Sequence, residues 1–294
     1  MPFTAKSGKF NASINVVEFG TGDKAVKIGG ENVFPLYSFD AAIENAPKVG
    51  IEITDFGMEH EPECIKKYYE GCATLADMAR KAASMEGVDF LSFRMEGGDP
   101  NGANKSTEEL IGELKEIADA VDLPLVVCGC KNVEKDAELF SKAAEALNGK
   151  NAVILSAKEE NYKTVGAAAG LAYKQIVGAE SAVDINLAKQ LNVLISQLGV
   201  DSKSVVMNVG SAAVGYGFEY VISTMDRVKA AALQQGDANL QMPIITPVAS
   251  EAWGVKEAMA SETDAPEWGS QEERGIDMEV ETLSLIHISE PTRH

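Results

Sequence analysis

Histidine, tryptophan and cysteine are scarce in these 294 residues, at three, two and four. The four thiols, Cys64, Cys72, Cys128 and Cys130, include no C-x-x-C pair and fit neither zinc-site nor ferredoxin-type spacing. They read as buried or incidental thiols. Long apolar runs are also missing: nothing approaches the roughly 18 residues needed to span a bilayer, and Met1 to Phe10 has no signal-peptide core. The expectation is a cytoplasmic protein without a membrane partner. Positive charge is short as well, with 26 Lys and Arg against 45 Asp and Glu, a formal charge of −19. Such a surface repels nucleic acid and anionic lipid. What remains is 45% hydrophobic and 24% charged, the composition of a globular chain with a sizeable core.

The organisation is repetitive. Ile14–Phe19 and Ala25–Ile28, joined through Thr21-Gly22-Asp23, read as a β-hairpin. Short apolar runs then begin at residues 49, 88, 125, 152, 175, 205 and 243, the last being Pro243–Thr246, with amphipathic stretches between them. Runs without strict alternation suit strands buried on both faces, hence a parallel sheet. Helix signals fall in the gaps: Ser106-Thr107-Glu108-Glu109 before a stripe from Leu110 to Val121, Asn132 as a cap, Ser181-Ala182-Val183-Asp184 before a stripe from Leu187 to Leu198, a stripe from Phe218 to Leu233, and Ser270-Gln271-Glu272-Glu273. Each interval holds one βα unit, so the pattern predicts an α/β fold of the TIM (β/α)8 type, with an open doubly wound sheet as the other option. The expected organisation is a hairpin and lead-in segment at 1–48, a barrel of seven units at 49–284, and a tail at 285–294. There the helical stripe is expected to stop, and the tail resembles translated sequencing adaptor. The eighth strand is then expected to be lost by truncation, with a natural frayed tail as the alternative.

In such a barrel ligands meet the loops after the strands. Here these loops are Asp55–Gly57, Arg94–Gly102, Gly129–Asn132, Ser156–Lys158, Gly178–Ser181, Asn208–Ser211 and Pro247–Glu251, mostly small and neutral residues that let a bulky ligand or a protein approach the backbone. Few residues there suit acid–base or covalent chemistry. His60, between Glu59 and Glu61, reads as a solvated loop residue. Asp99, Glu180 and Glu251 are candidate acids, although Asp99 before Pro100-Asn101-Gly102 is equally a turn former. Lys131 and Lys158 stand where an aldolase places its Schiff-base lysine, or are simply solvated. The Gly97-Gly98 pair and the Gly210–Gly217 segment match neither phosphate-loop nor dinucleotide fingerprints.

Taken together, Gly29–Pro35, Asp99–Gly102, Asn132–Glu138, Glu160–Lys163, Asp184–Asn192 and Gly215–Tyr220 resemble the small, or delta, subunit of the corrinoid iron–sulfur protein of the acetyl-CoA decarbonylase/synthase complex. The resemblance runs from Phe10 to Ser284. It implies a TIM barrel paired with a large corrinoid iron–sulfur subunit, which carries the iron–sulfur cluster and most of the corrinoid (cobalamin) binding. It also implies methyl transfer from methyltetrahydrofolate, through a separate methyltransferase, to acetyl-CoA synthase in the reductive acetyl-CoA pathway. On this reading the chain has no catalytic residues of its own and covers the corrin with its small polar loops, for which Asp99, Asn101, Gly102, Asn132, Ser156, Asn208, Gly210 and Ser211 are the expected contacts. The Asp-x-His-x-x-Gly loop of many B12 proteins is missing. The alternative on the same barrel is a free-standing pterin-binding methyltransferase using Asp99, Asn101 and Asn208.

Overall fold

The computed structural model describes residues 8–34 and 41–289, with side chains to Ile286. Residues 1–7, 35–40 and 290–294 lie outside the described residues. They include the expected signal-free start, Pro35 of the Gly29–Pro35 motif and the end of the expected tail.

The two leading strands, β1 (Val17–Phe19) and β2 (Val26–Ile28), pair antiparallel across the Thr21–Asp23 turn. Six further strands follow: β3 (Gly50–Thr54), β4 (Phe90–Arg94), β5 (Leu125–Cys128), β6 (Val153–Ala157), β7 (Ile176–Glu180) and β8 (Val205–Asn208). They form one parallel sheet in sequence order, each pairing with the next. The connections carry α1 (Glu63–Tyr68), α2 (Leu75–Ala83), α3 (Thr107–Ala120), α4 (Val133–Ala146), α5 (Tyr162–Val165), α6 (Ile185–Gln197) and α7 (Phe218–Lys229). Three more helices, α8 (Ala249–Ala252), α9 (Lys256–Met259) and α10 (Gln271–Ser289), end the chain.

Side-chain alternation sorts the sheet into two faces. Leu91, Phe93, Val127, Ile154, Val177, Val205 and Met207 point to the helices and join the main core with Leu110, Leu114, Leu139, Leu191 and Val221. Phe90, Val126, Val153, Ile176, Val206 and Ile245 point the other way. There they pack against Val17, Phe19, Val26 and Ile28, so the hairpin plugs the end of the sheet where the strands begin. The plug is fastened at its margin by a fully buried ion pair between Glu31 and Lys229 of α7. Toward the C-terminal ends of β4 and β8 the inner face turns polar, with Ser92 then Arg94 on β4 and Asn208 on β8. A site built on this face can therefore open only at the strands' C-terminal ends.

Three expectations need correction. The seventh strand, Pro243–Thr246, is reduced to one parallel bridge, Met207 with Ile244, held by Met207 N to Pro243 O and Ile245 N to Met207 O. Pro243 has no N–H to donate, and Pro247 ends the extended stretch. Among the described residues the far edge of β3 is unpaired, so the sheet is not shown closing into a ring. Secondly, Ser181 caps nothing: α6 is capped by Asp184, whose side chain accepts from Asn186 N and Leu187 N, while Ala182 and Val183 adopt φ of 43° and 67°, incompatible with a first helical turn. Thirdly, α10 continues through Leu285 to Ser289 and buries Ile286 completely, since Pro291 restricts only the residue before it. Ser106 and Asn132 do cap α3 and α4, accepting from Glu109 N and Lys135 N. No described helix is long and apolar enough to cross a membrane.

Candidate functional site

At the C-terminal ends of β4 to β8 the polar end of the inner face opens into a cavity of about 270 Å³. Its base is set by β4. Arg94 donates from Nε and Nη2 to the two carboxylate oxygens of Glu52 on β3, at 2.9 and 2.8 Å, with both side chains more than 90% buried. Burial works against the guanidinium charge, and Glu52 more than offsets it, holding Arg94 charged above its ordinary range. Beside it Ser92 Oγ lies 3.6 Å from Cys128 Sγ. Burial pushes the thiols of Cys128 and Cys130 up to about 12, so neither is a thiolate nucleophile at neutral pH.

Local sequence shapes the rest. A register shift in β6 between Ile154 and Ala157 lets the consecutive residues Leu155 and Ser156 both face the cavity. Asn208 at the end of β8 donates to Ser156 Oγ at 3.0 Å and accepts from Gly210 N at 3.0 Å, so its amide is held at both ends. Gly210 has φ of 97°, a conformation that keeps the turn tight. Lys158 pairs with Glu180 at 3.2 Å, and Lys131 with Glu251 of α8 at 3.2 Å. Asp136 accepts from Cys130 N at 2.7 Å, and a Cβ on Gly129 would stand 2.2 Å from its carboxylate. Every charged side chain lining the cavity is thus committed to a partner within the protein. In contrast, Ser211 Oγ and Ser250 Oγ on the lining are buried without a hydrogen-bond partner, and so is Ser181 Oγ nearby.

Burial is the main reason that the Asp136 carboxyl is raised, with the hydrogen bond from Cys130 opposing it. A raised folded-state pKa means that the native protein holds this proton more tightly than the unfolded chain. This group's contribution to stability therefore falls as pH rises from the ordinary carboxyl range through the raised value. Asp136→Asn, which keeps an acceptor for Cys130 N, is expected to gain on the wild type in urea midpoint between pH 4 and pH 7. Parallel midpoints across that range would refute this.

Of the residues expected from sequence, Ser156, Asn208, Gly210 and Ser211 come together on this cavity. Asn132 stands beside it as the α4 cap. Asp99, Asn101 and Gly102 form a turn of their own outside the lining: Asp99 Oδ1 accepts from Asn101 N and Nδ2 at 2.9 and 3.2 Å, and Asp99 O from Gly102 N at 2.9 Å. His60 is exposed and packs edge-on against Phe56, at 4.7 Å between ring centroids. Sequence reading missed the Arg94–Glu52 pair: Glu52 inside the apolar run that starts at residue 49 was the available signal, while Arg94, read as the first residue of a loop, is the last residue of β4.

A second cavity of about 500 Å³ runs along the free edge of β3, walled by Tyr68, Tyr69, Trp253, Glu61 and Glu279 and sharing Arg94 and Ser250 with the first. Burial raises both carboxyls, and the charges of Glu52, Glu96 and Glu279 push Glu61 further. Among the described residues no group of three or more His, Cys, Asp or Glu could hold a metal ion.

Comparison with known proteins gives one consistent result. A sequence profile described as CO dehydrogenase/acetyl-CoA synthase delta subunit matches residues 16–270. The acetyl-CoA decarbonylase/synthase complex subunit delta of Methanothermobacter thermautotrophicus is 33% identical over 244 residues, 82% of this chain and 61% of the relative. That of Archaeoglobus fulgidus is 32% identical over 281 residues, 92% of this chain and 61% of the relative. The chain thus spans about three fifths of the length of the relatives it matches. Among solved structures, a dihydropteroate synthase from Yersinia pestis with a pterine-sulfa conjugate superposes with a TM-score of 0.52 at 10% identity, covering 84% of this chain and 87% of that one. At that identity the likeness is one of TIM-barrel-like fold alone.

Proposed function

Since this chain belongs to the CO dehydrogenase/acetyl-CoA synthase delta subunit family, we propose that it is a non-catalytic subunit that covers a corrinoid held by a larger, cluster-bearing partner during methyl transfer. When bound, the corrinoid supplies a cobalt centre that takes up and gives away a methyl group. The observation that carries the reading is the self-contained cavity: its charges are partnered within the protein, the Cys128 thiol is protonated, and among the described residues no histidine lines it. Such a surface presents neither imidazole nor thiolate to compete for cobalt, and its lysines and carboxylates are held by partners.

The residues fit a cover better than a container. A cavity of about 270 Å³ suits the arms on the edge of a corrinoid. The unpartnered hydroxyls of Ser211 and Ser250 are placed to hydrogen-bond polar arms, and Gly210 lets the rim come close. Val183 on the lining is 40% exposed, and Tyr216 and Tyr220, in the segment that follows β8, are 52% and 66% exposed, apolar surface that a partner subunit would bury. Asp99, Asn101, Gly102 and Asn132 would then sit at the margin of the contact. The proposal extends to the fold: the free edge of β3 and the single bridge at Ile244 are where an eighth strand would pair in a longer protein.

Co-expression with the large subunit is the test. The expected product is a brown, cobalt-containing heterodimer whose methyl transfer from methyltetrahydrofolate needs the separate methyltransferase. Ser211→Leu, which fills the rim, should lower corrinoid retention several-fold at unchanged thermal midpoint. Turnover of methyltetrahydrofolate with free cobalamin by this chain alone would instead establish the pterin-binding methyltransferase.

A further inference from the structure

The ion pair between Lys131 and Glu251 has a placement unlike the others. Lys131 lies on the loop after β5, third in the strand order, and Glu251 on α8, directly after the seventh, bridge-forming segment. Residues 120 apart in sequence therefore meet at 3.2 Å from opposite sides of the first cavity, and both line it. Their side chains are 67% and 37% exposed, which puts the contact at the mouth, above the buried Cys128. The Lys158–Glu180 pair, by contrast, joins the ends of the neighbouring strands β6 and β7 and spans nothing.

The backbone under the Lys131 side chain is fixed. Cys130 N is bonded to Asp136, Asn132 caps α4, and Lys131 itself holds φ of 68°. Movement at this point belongs to the two side chains, and an ion pair this exposed is weak and screened by salt. We propose that Lys131 and Glu251 form a bar across the cavity mouth, closed at rest and swung aside to admit a ligand, so that access to the interior is controlled by charge and ionic strength. The proposal goes beyond the corrinoid reading, because it concerns access and not the identity of the occupant.

Cys128 reports access as a ratio of rates: at one fixed alkaline pH only the small thiolate fraction left by its raised pKa reacts, and that fraction is common to wild type and variants, so differences in labelling read the mouth. N-ethylmaleimide is uncharged, so salt acts on the bar and not on the reagent, and mass spectrometry resolves its adduct on Cys128 from those on the other thiols. In the full chain, Lys131→Glu and Glu251→Lys each place like charges across the mouth and should speed Cys128 labelling about three- to fivefold, the scale of an exposed ion pair. The double swap K131E/E251K should return the rate to that of wild type. Raising salt should speed labelling of wild type and of the swap and should not speed the single variants. Single variants that label at the wild-type rate, or a swap that labels as fast as they do, would overturn the proposal. So would fast labelling that tracks a lowered thermal midpoint and is not rescued by the swap.

Discussion

Arg94→Met is expected to lose about 3–5 kcal/mol, because it leaves the Glu52 carboxylate, 5% exposed, buried without its counter-charge. The urea midpoint measures the loss, and the reason can be separated from mere side-chain truncation. The double variant Glu52→Leu/Arg94→Met removes both charges and keeps most of the volume, so it should recover most of the stability. If the double variant is as unstable as the single, the pair is not what holds the base of the cavity. Arg94 also lines both cavities, so the recovered double variant should lose the polar partition between them while keeping the fold.

Phe90→Ala is expected to cost a similar amount, about 3–5 kcal/mol, by leaving a cavity where a completely buried ring sat. The ring packs edge-on against Phe19 of the hairpin at 5.6 Å between centroids and fills the space over Gly50, where a Cβ would come within 2.2 Å of it. Its loss should therefore show a local signature as well. Amide exchange in Val17–Ile28 should rise well beyond the global effect, while α3 and α4, which pack on the other face, should change only with overall stability. Uniform exchange across hairpin and helices would mean that Phe90 does not couple the plug to the sheet.

Much of this architecture can be read from the sequence, and the reason is local. The runs at Leu125–Cys128 and Val205–Asn208 are too short for helices and too apolar for loops, and both are strands. Ser106 and Asn132 mark helix starts because a cap is a contact within four residues. Legibility fails where the deciding contact is distant. Ser181 carries a capping signature as good as that of Asp184, yet Val183 N bonds to Val209 O and bends the backbone out of helical geometry. The Pro243–Thr246 run has strand composition, but Pro243 at its start and Pro247 just after it limit it to one bridge. In the candidate site, Ser156, Asn208, Gly210 and Ser211 were legible because the strand ends that carry them were. The pairing of Arg94 with Glu52, 42 residues away, and of Lys131 with Glu251 were not, since no spacing rule links them.

The buried clasp between Glu31 and Lys229 joins residues 198 apart in sequence. On the ribosome the plug emerges about two hundred residues ahead of Val206, Lys229 and Ile245, which complete its socket. At about 5–20 residues per second the greasy faces of Val17, Phe19, Val26 and Ile28 wait tens of seconds for a seat. Between plug and socket the order of synthesis is thus opposite to the order of docking, and until the socket is made the plug's apolar face is open to contacts elsewhere.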